Sequence, residues 1–126
     1  MEIPQDLRYT SDHEWARLED AKVRVGLTDF AQEALGDIVF VQLPSVGESV
    51  ARGGELGEVE STKSVSQVYA PVGGVVIEVN TSLSTQPEVI NTDAYGQGWL
   101  CLIEPSELAE LDELLDAAGY RSLTDS

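Results

Sequence analysis

The sequence predicts a mainly β fold, a flattened barrel or sandwich with one short helix in its N-terminal half and one helix near its C-terminus. Three observations predict it. Short apolar or alternating runs recur at close spacing along the 126 residues, glycine-bearing turns separate them, and only two stretches carry helical punctuation.

In chain order, Trp15 to Leu18 and Val23 to Leu27 are strand-like runs joined by the polar link Glu19-Asp20-Ala21-Lys22, a hairpin pattern. Thr28-Asp29 supplies a cap and a first-turn acid for Phe30 to Leu35, and Gly36 supplies a stop, so a short helix is expected there. Ile38 to Leu43 is an apolar, β-branched run ended by Pro44 and reads as a well-buried strand. Glycines at 47, 53 and 54 punctuate the next stretch, and Leu56 to Glu60 and Val65 to Ala70 follow as strands. In Val75 to Val79, residues Val75, Ile77 and Val79 should face one side and Val76, Glu78 and Asn80 the other. Trp99 to Ile103 is the last strand. Ser106 is placed to cap a helix over Glu107 to Ala118, with Leu108, Leu111 and Leu115 forming a packing stripe and Gly119 the stop. Gly36-Asp37-Ile38-Val39-Phe40-Val41 is echoed by Gly74-Val75-Val76-Ile77-Glu78-Val79, which suggests two related halves.

A chain of this length is expected to form one domain, residues 1–126, burying roughly two-thirds of its unfolded surface around a single core. Cys101 is the only cysteine and His13 the only histidine, so neither an internal disulfide nor a Cys/His metal cluster is expected. With 23 acidic residues against seven basic ones and a formal charge of −16, the chain should repel nucleic acid and anionic membranes, and its partners should present basic surfaces. The same charge serves solubility. No run approaches the roughly 18 apolar residues of a membrane span, and the first residues have neither a secretory core nor the character of a transit peptide. A cytoplasmic setting is therefore expected.

Lys63 is one of two lysines, and it stands in Glu60-Ser61-Thr62-Lys63-Ser64, between two strand patterns. It should project from a hairpin tip. With an ordinary pKa of ~10.4 and no desolvating pocket it is a poor catalytic amine, and either a solubilising charge or an attachment point.

Val59-Glu60-Ser61-Thr62-Lys63-Ser64, followed by Ala70-Pro71-Val72-Gly73-Gly74, resembles the modification hairpin of lipoyl-carrier domains, in which the lysine is amide-linked to lipoic acid. Gly47, sixteen residues before Lys63, and Gly74, eleven after, lie where those domains also place glycine. Biotin carriers share the fold but flank the lysine with methionine; here the flanking residues are Thr62 and Ser64. The runs Tyr9 to Trp15, Val25 to Gln32, Leu35 to Pro44 and Asn91 to Trp99 resemble the glycine cleavage H-protein family over about residues 7–120. That resemblance implies a lipoyl/biotinyl-carrier-like barrel-sandwich hybrid. One departure is Ala94, where the family more often has proline; losing a fixed φ should loosen that turn.

The resemblance implies a carrier and not a catalyst. A lipoyl group on Lys63 would take the aminomethyl group of glycine from the pyridoxal-phosphate glycine decarboxylase (P protein) to the tetrahydrofolate-dependent aminomethyltransferase (T protein). It would then pass electrons to dihydrolipoamide dehydrogenase (L protein). A separate enzyme would attach the lipoate, and the carrier is expected to be a monomer. By the same resemblance Glu14 is a candidate for holding the cationic amine in a cleft, and Glu60, three residues before Lys63, for recognition during lipoylation; the plainer alternatives are a surface carboxylate and a solvated strand end. His13 is expected to be a structural hydrogen-bonding residue and Cys101 a core residue.

Three other readings stand beside this one. An H-like relay would donate lipoyl groups to 2-oxoacid dehydrogenases. A lipoyl domain of such a dehydrogenase would normally continue through an Ala/Pro-rich linker. An enzyme acting through His13, Glu14 or Cys101 would need a triad, metal cluster or phosphate loop, and the sequence offers none.

Overall fold

The computed structural model describes residues 1–125 as two β-sheets with a few short helices and no closed barrel. The strands are β1 (Arg8–Tyr9), β2 (Glu14–Glu19), β3 (Lys22–Leu27), β4 (Ile38–Gln42), β5 (Ser49–Val50), β6 (Glu55–Ser61), β7 (Val65–Tyr69), β8 (Gly74–Val79) and β9 (Cys101–Pro105). One sheet has the order β1-β2-β3-β9-β8-β5 and the other β4-β6-β7, with every pairing antiparallel. The main core lies between them. Val23, Val25, Leu27, Val76 and Ile103 from the larger sheet share one apolar cluster with Ile38, Val41, Leu56, Val59 and Val68 from the smaller.

The β2–β3 hairpin forms as its sequence predicts, on a two-residue turn in which Asp20 (φ 51°) and Ala21 (φ 65°) are both left-handed, the conformation that matches strand twist. Helix α1 (Asp29–Leu35) also forms as predicted: the Thr28 side chain accepts from Ala31 N–H, and Gly36, at φ 82°, donates its N–H to the Gln32 carbonyl. Trp15 and Ala16 point to opposite sides of β2. Ala16 joins the inter-sheet core, whereas Trp15 joins a second cluster with Ile3, Leu7, Tyr9, Ala117 and Tyr120, which fastens both chain ends to the sheet.

Three expectations are corrected. The run Ile38 to Leu43 is not buried throughout: β4 is an edge strand, and Val39 and Phe40 are each about half exposed, 52% and 51%. Strict alternation in Val75 to Val79 fails because the β8–β9 register shifts between Val76 and Glu78, so Val76 is fully buried, Val75 is exposed, and Val79 packs against the core. The long C-terminal helix is two elements. A 3-10 turn (Leu108–Glu113) is followed by extended backbone at Leu114, and α3 (Ala117–Thr124) begins at Asp116, whose side chain accepts from Gly119 N–H. Gly119 is thus inside a helix and not its stop. Tertiary pairing overrides the helical spacing: Leu115 exchanges backbone hydrogen bonds with Tyr9, at 2.8 and 2.9 Å, which a continuous helix would forbid. Of the leucine stripe, Leu111 is buried, Leu115 half-buried and Leu108 exposed. Helix α2 (Val89–Thr92), a 3-10 turn (Thr81–Ser84) and the two-residue strands β1 and β5 have no sequence-level prediction.

The echo between Gly36–Val41 and Gly74–Val79 has a structural counterpart. The register shift in β4 falls between Ile38 and Phe40, the positions that align with Val76 and Glu78. At Gly74 a Cβ would stand 2.1 Å from the Glu104 carbonyl oxygen, so β8 reaches β9 there only because the residue is glycine.

Candidate functional site

Lys63 occupies the tip between β6 and β7. Ser61 shapes that tip: its Oγ accepts from the N–H of Lys63 and of Ser64, both at 3.1 Å, and its own N–H donates to the Ser64 carbonyl at 2.8 Å. Thr62 N–H donates to the Asp37 carbonyl at 3.0 Å, tying the tip to the end of α1. Thr62, Lys63 and Ser64 are exposed. The Lys63 side chain runs beside Gly36, where a Cβ would stand 3.0 Å from its Cε.

Strand β7 is the outer strand of the smaller sheet, and two clefts follow its free side. The first, about 290 Å³, lies next to the tip between α1 and Ser64–Ser66, with Leu27, Phe30, Ala31, Ala34, Leu35 and Val65 as apolar walls and Asp12 and His13 at one end. The second, about 310 Å³, also takes in Asp12 and continues to Glu14, Tyr69 and Arg52, with Arg52 paired to Glu113 at its rim. Asp12 lines both, and the two succeed one another along β7 as a path of neighbouring clefts. From Ser64 to Tyr69 that path covers roughly 17 Å at the rise of a β-strand.

Glu14 lies along this path but not at the surface: the residue is 1% exposed. One carboxylate oxygen accepts from Thr10 Oγ1 at 2.6 Å and the other from Tyr69 N–H at 3.1 Å. Desolvation outweighs those hydrogen bonds, which act in the opposite sense, and pushes its pKa up to about 7. The surface-carboxylate alternative for Glu14 does not hold. Glu60 is half-buried in β6, opposite Phe40 on one side and Val65 on the other.

His13 is held by hydrogen bonding, as expected, but with a left-handed backbone (φ 72°). Its Nδ1 is 2.8 Å from the Tyr120 hydroxyl, and its ring stacks on Phe30 at 4.5 Å. Burial lowers its pKa, against a smaller opposing effect of Asp12. Cys101 is fully buried and burial pushes its thiol up to about 12, so it is a core residue and no nucleophile. Among the described residues no group of three or more His, Cys, Asp or Glu side chains could hold a metal, and no helix is long and apolar enough to cross a membrane.

The chemistry of the first cleft fits an uncharged chain. An acyl group joined to the lysine nitrogen removes its charge and leaves a tether beside a cleft walled by leucine, alanine, valine and phenylalanine, with Ser64 and Ser66 at the tip end. Sequence motifs single out Lys63, Glu14 and Glu60 but not the residues that wall the clefts, and Glu60 lines neither of them. Tyr120, 107 positions from His13, had no signal in the sequence beyond its place after a glycine.

The chain is similar to known proteins along nearly its whole length. The family model for the glycine cleavage H-protein matches residues 7–126. The glycine cleavage system H protein of Anaeromyxobacter sp. (strain K) is 54% identical over 125 residues, 99% of this chain and 98% of that one. A glycine cleavage system H protein of Thermus thermophilus is 50% identical over 126 residues, 100% of this chain and 98% of that one. The crystal structure of a glycine cleavage system H protein from Mycobacterium marinum superimposes with a TM-score of 0.91 at 48% identity, covering 98% of this chain and 100% of that one.

Proposed function

This chain belongs to the glycine cleavage H-protein family, and from that premise we propose that it is the lipoyl carrier of the glycine cleavage system with Lys63 as its attachment point. The observation that carries the assignment to Lys63 is its position: an exposed amine on a tip of small residues, at the mouth of an apolar groove. A tethered lipoyl group would supply a disulfide that accepts the aminomethyl unit and electrons. Everything else is the work of the chain.

The tip presents the amine. Ser61 fixes the turn, and the small neighbours Thr62 and Ser64 leave room for an attaching enzyme and for each active site the arm must enter: the decarboxylase, the aminomethyltransferase and the dihydrolipoamide dehydrogenase. A tether of this kind raises the effective concentration of cargo at a docked site, which a buried lysine could not do. The groove beside β7, with its mainly apolar walls, would give the arm a resting place between visits.

Glu14, at the far part of the same path, is the candidate for holding a cationic amine. Its carboxylate is buried and already has one backbone and one side-chain donor, so a positive charge nearby would restore the ionised form that burial disfavours. Glu60 is the candidate for recognition by the attaching enzyme, and its in-register flanking by Phe40 and Val65 makes a compact feature next to the tip.

The reading is tested by intact mass and peptide mapping of protein made in a lipoate-supplied host, with Lys63→Arg as control. One lipoyl adduct confined to Lys63 is expected. A bare Lys63, when the attaching enzyme modifies a known acceptor in the same host, overturns it.

A further inference from the structure

The residue in the groove whose hydrogen bonds are most constrained is His13, and those constraints fix where its proton lies. Three groups form a chain: Thr28 Oγ1 to Tyr120 hydroxyl at 2.7 Å, and Tyr120 hydroxyl to His13 Nδ1 at 2.8 Å. Thr28 and Tyr120 are fully buried. Thr28 Oγ1 also accepts the N–H of Ala31, as the cap of α1, and neither hydroxyl has another acceptor among the described residues. If His13 donated from Nδ1, one of the two buried hydroxyl protons would have nowhere to go, because Tyr120 would have to donate to Thr28 and leave the Thr28 proton unpaired, or the reverse. An unpaired buried donor is costly. Only one direction satisfies every proton: Thr28 donates to Tyr120, Tyr120 donates to Nδ1, and the imidazole is neutral with its proton on Nε2.

Nδ1 faces Tyr120, so Nε2 lies on the other side of a ring that lines the groove and stacks on Phe30. It has no partner among the described residues. The backbone reinforces the placement: His13 is held at φ 72°, a conformation uncommon outside glycine, by its N–H to the Thr10 carbonyl and its carbonyl accepting from Thr28 N–H. Lys63 lies at the Gly36 end of α1 and His13 at the Phe30 end, six residues or roughly 9 Å apart along the helix axis.

We propose that His13 is a positioning residue for the tethered arm: its fixed Nε2–H donates to a sulfur at the far end of the lipoyl group when the arm lies in the groove. This rests on the assignment of Lys63 as the lipoyl site. A donor there, at the end of a cleft walled mainly by Leu27, Phe30, Ala31, Ala34, Leu35 and Val65 and away from Ser64 and Ser66 at the tip, distinguishes an arm that ends in sulfur from a sulfur-free acyl chain. It favours most strongly a thiolate, since an ionised acceptor strengthens the bond.

His13 is the only histidine, so its two ring nitrogens can be read without ambiguity by nitrogen-15 NMR of the whole protein. Four forms are compared: unmodified, octanoylated on Lys63 as the sulfur-free control, lipoylated, and reduced to the dihydrolipoyl state. The unmodified protein is expected to show the Nε2–H tautomer already, with Tyr120→Phe losing that preference. The Nε2–H signal is expected to move in the two sulfur-bearing forms and most in the reduced one, whereas the methyl signals of Ala31 and Leu35 move in all three acylated forms. An Nδ1–H tautomer in the unmodified protein overturns the proposal. So does a His13 signal that responds equally to octanoyl and lipoyl groups while the methyls move, and that outcome leaves the groove reading standing. Methyls unmoved in every acylated form overturn both.

Discussion

Glu14 and Tyr69 join the two sheets: the Glu14 carboxylate, at the start of β2, accepts the backbone N–H of Tyr69 at the end of β7, 3.1 Å away. A strand edge that would otherwise expose an unpaired donor is closed by a buried acid. Because burial raises the pKa of Glu14 from an ordinary 4.5 to about 7, the folded state binds that proton more tightly than the unfolded chain does. The stability this contributes is present below pH 4.5 and is lost as pH rises to about 7, a change on the order of 3 kcal/mol. Urea unfolding at intervals between pH 4.5 and 8 should therefore show Glu14→Gln gaining on the wild type as pH rises. Parallel pH profiles for the two proteins would contradict the burial effect.

The same carboxylate gives a second prediction. If Glu14 holds the amine of a loaded arm, then Glu14→Ala should shorten the lifetime of the loaded carrier by about tenfold, the equivalent of one charge-assisted hydrogen bond. The effect should be larger at pH 8 than at pH 6, because the wild-type carboxylate is more fully ionised at the higher pH. A decay rate that does not change on substitution removes Glu14 from this role.

At Gly36 the backbone has φ 82° and ψ −154°, a region essentially reserved for glycine, and the residue ends α1 directly beside Lys63. Gly36→Ala should cost about 1–3 kcal/mol from the backbone alone. The steric part is small, since the added methyl would meet only the flexible end of the lysine, 3.0 Å away. Thermal denaturation should show a clearly lowered midpoint, with Lys63 still open to modification.

The parts of this fold that are legible in the sequence are those set by local chemistry. Thr28, Asp29 and Gly36 specify α1 within a few residues of one another, and Glu19 to Lys22 specify the first hairpin. The apolar run at Ile38 does not reveal that β4 lies at a sheet edge, because strand order depends on partners far along the chain. The leucines at 108, 111 and 115 carry a true helical spacing, yet the Tyr9–Leu115 pairing, across more than a hundred residues, outweighs it. The site divides in the same way. Lys63 is marked by its turn, whereas the Thr28–Tyr120–His13 chain exists only once α3 has packed onto β1 and β2.

Ala94 bears on stability in a way the structure makes specific. Its carbonyl accepts the buried Trp15 indole N–H at 3.0 Å, and the neighbouring Tyr95 carbonyl accepts from Arg17 at 3.1 Å, so the turn is fastened from the side. The N–H of Ala94 has no acceptor among the described residues, and a proline would break no hydrogen bond there. Ala94→Pro should therefore raise stability by about 0.4–1 kcal/mol through the unfolded chain, seen as a higher urea midpoint with an unchanged slope. A lower midpoint would mean that the backbone at Ala94 cannot take the proline φ.

Glu60 stands in a row across the smaller sheet, Phe40 to Glu60 to Val65, and both apolar neighbours are more than half exposed, 51% and 57%. Glutamine has the same shape, so Glu60→Gln removes charge and leaves packing in place, and its effect on stability should fall within about 0.5 kcal/mol, as for most surface substitutions. If the attaching enzyme recognises the carboxylate, the loss of a charged hydrogen bond of about 1.5 kcal/mol or more should slow lipoylation of Lys63 at least roughly tenfold. The comparison is made by following the mass of the two proteins through one lipoylation reaction, with urea midpoints measured alongside. Equal rates with equal midpoints would return Glu60 to being a strand-end carboxylate, and recognition would then have to rest on the tip itself, where Ser61 shapes the turn and Thr62 is tied to Asp37.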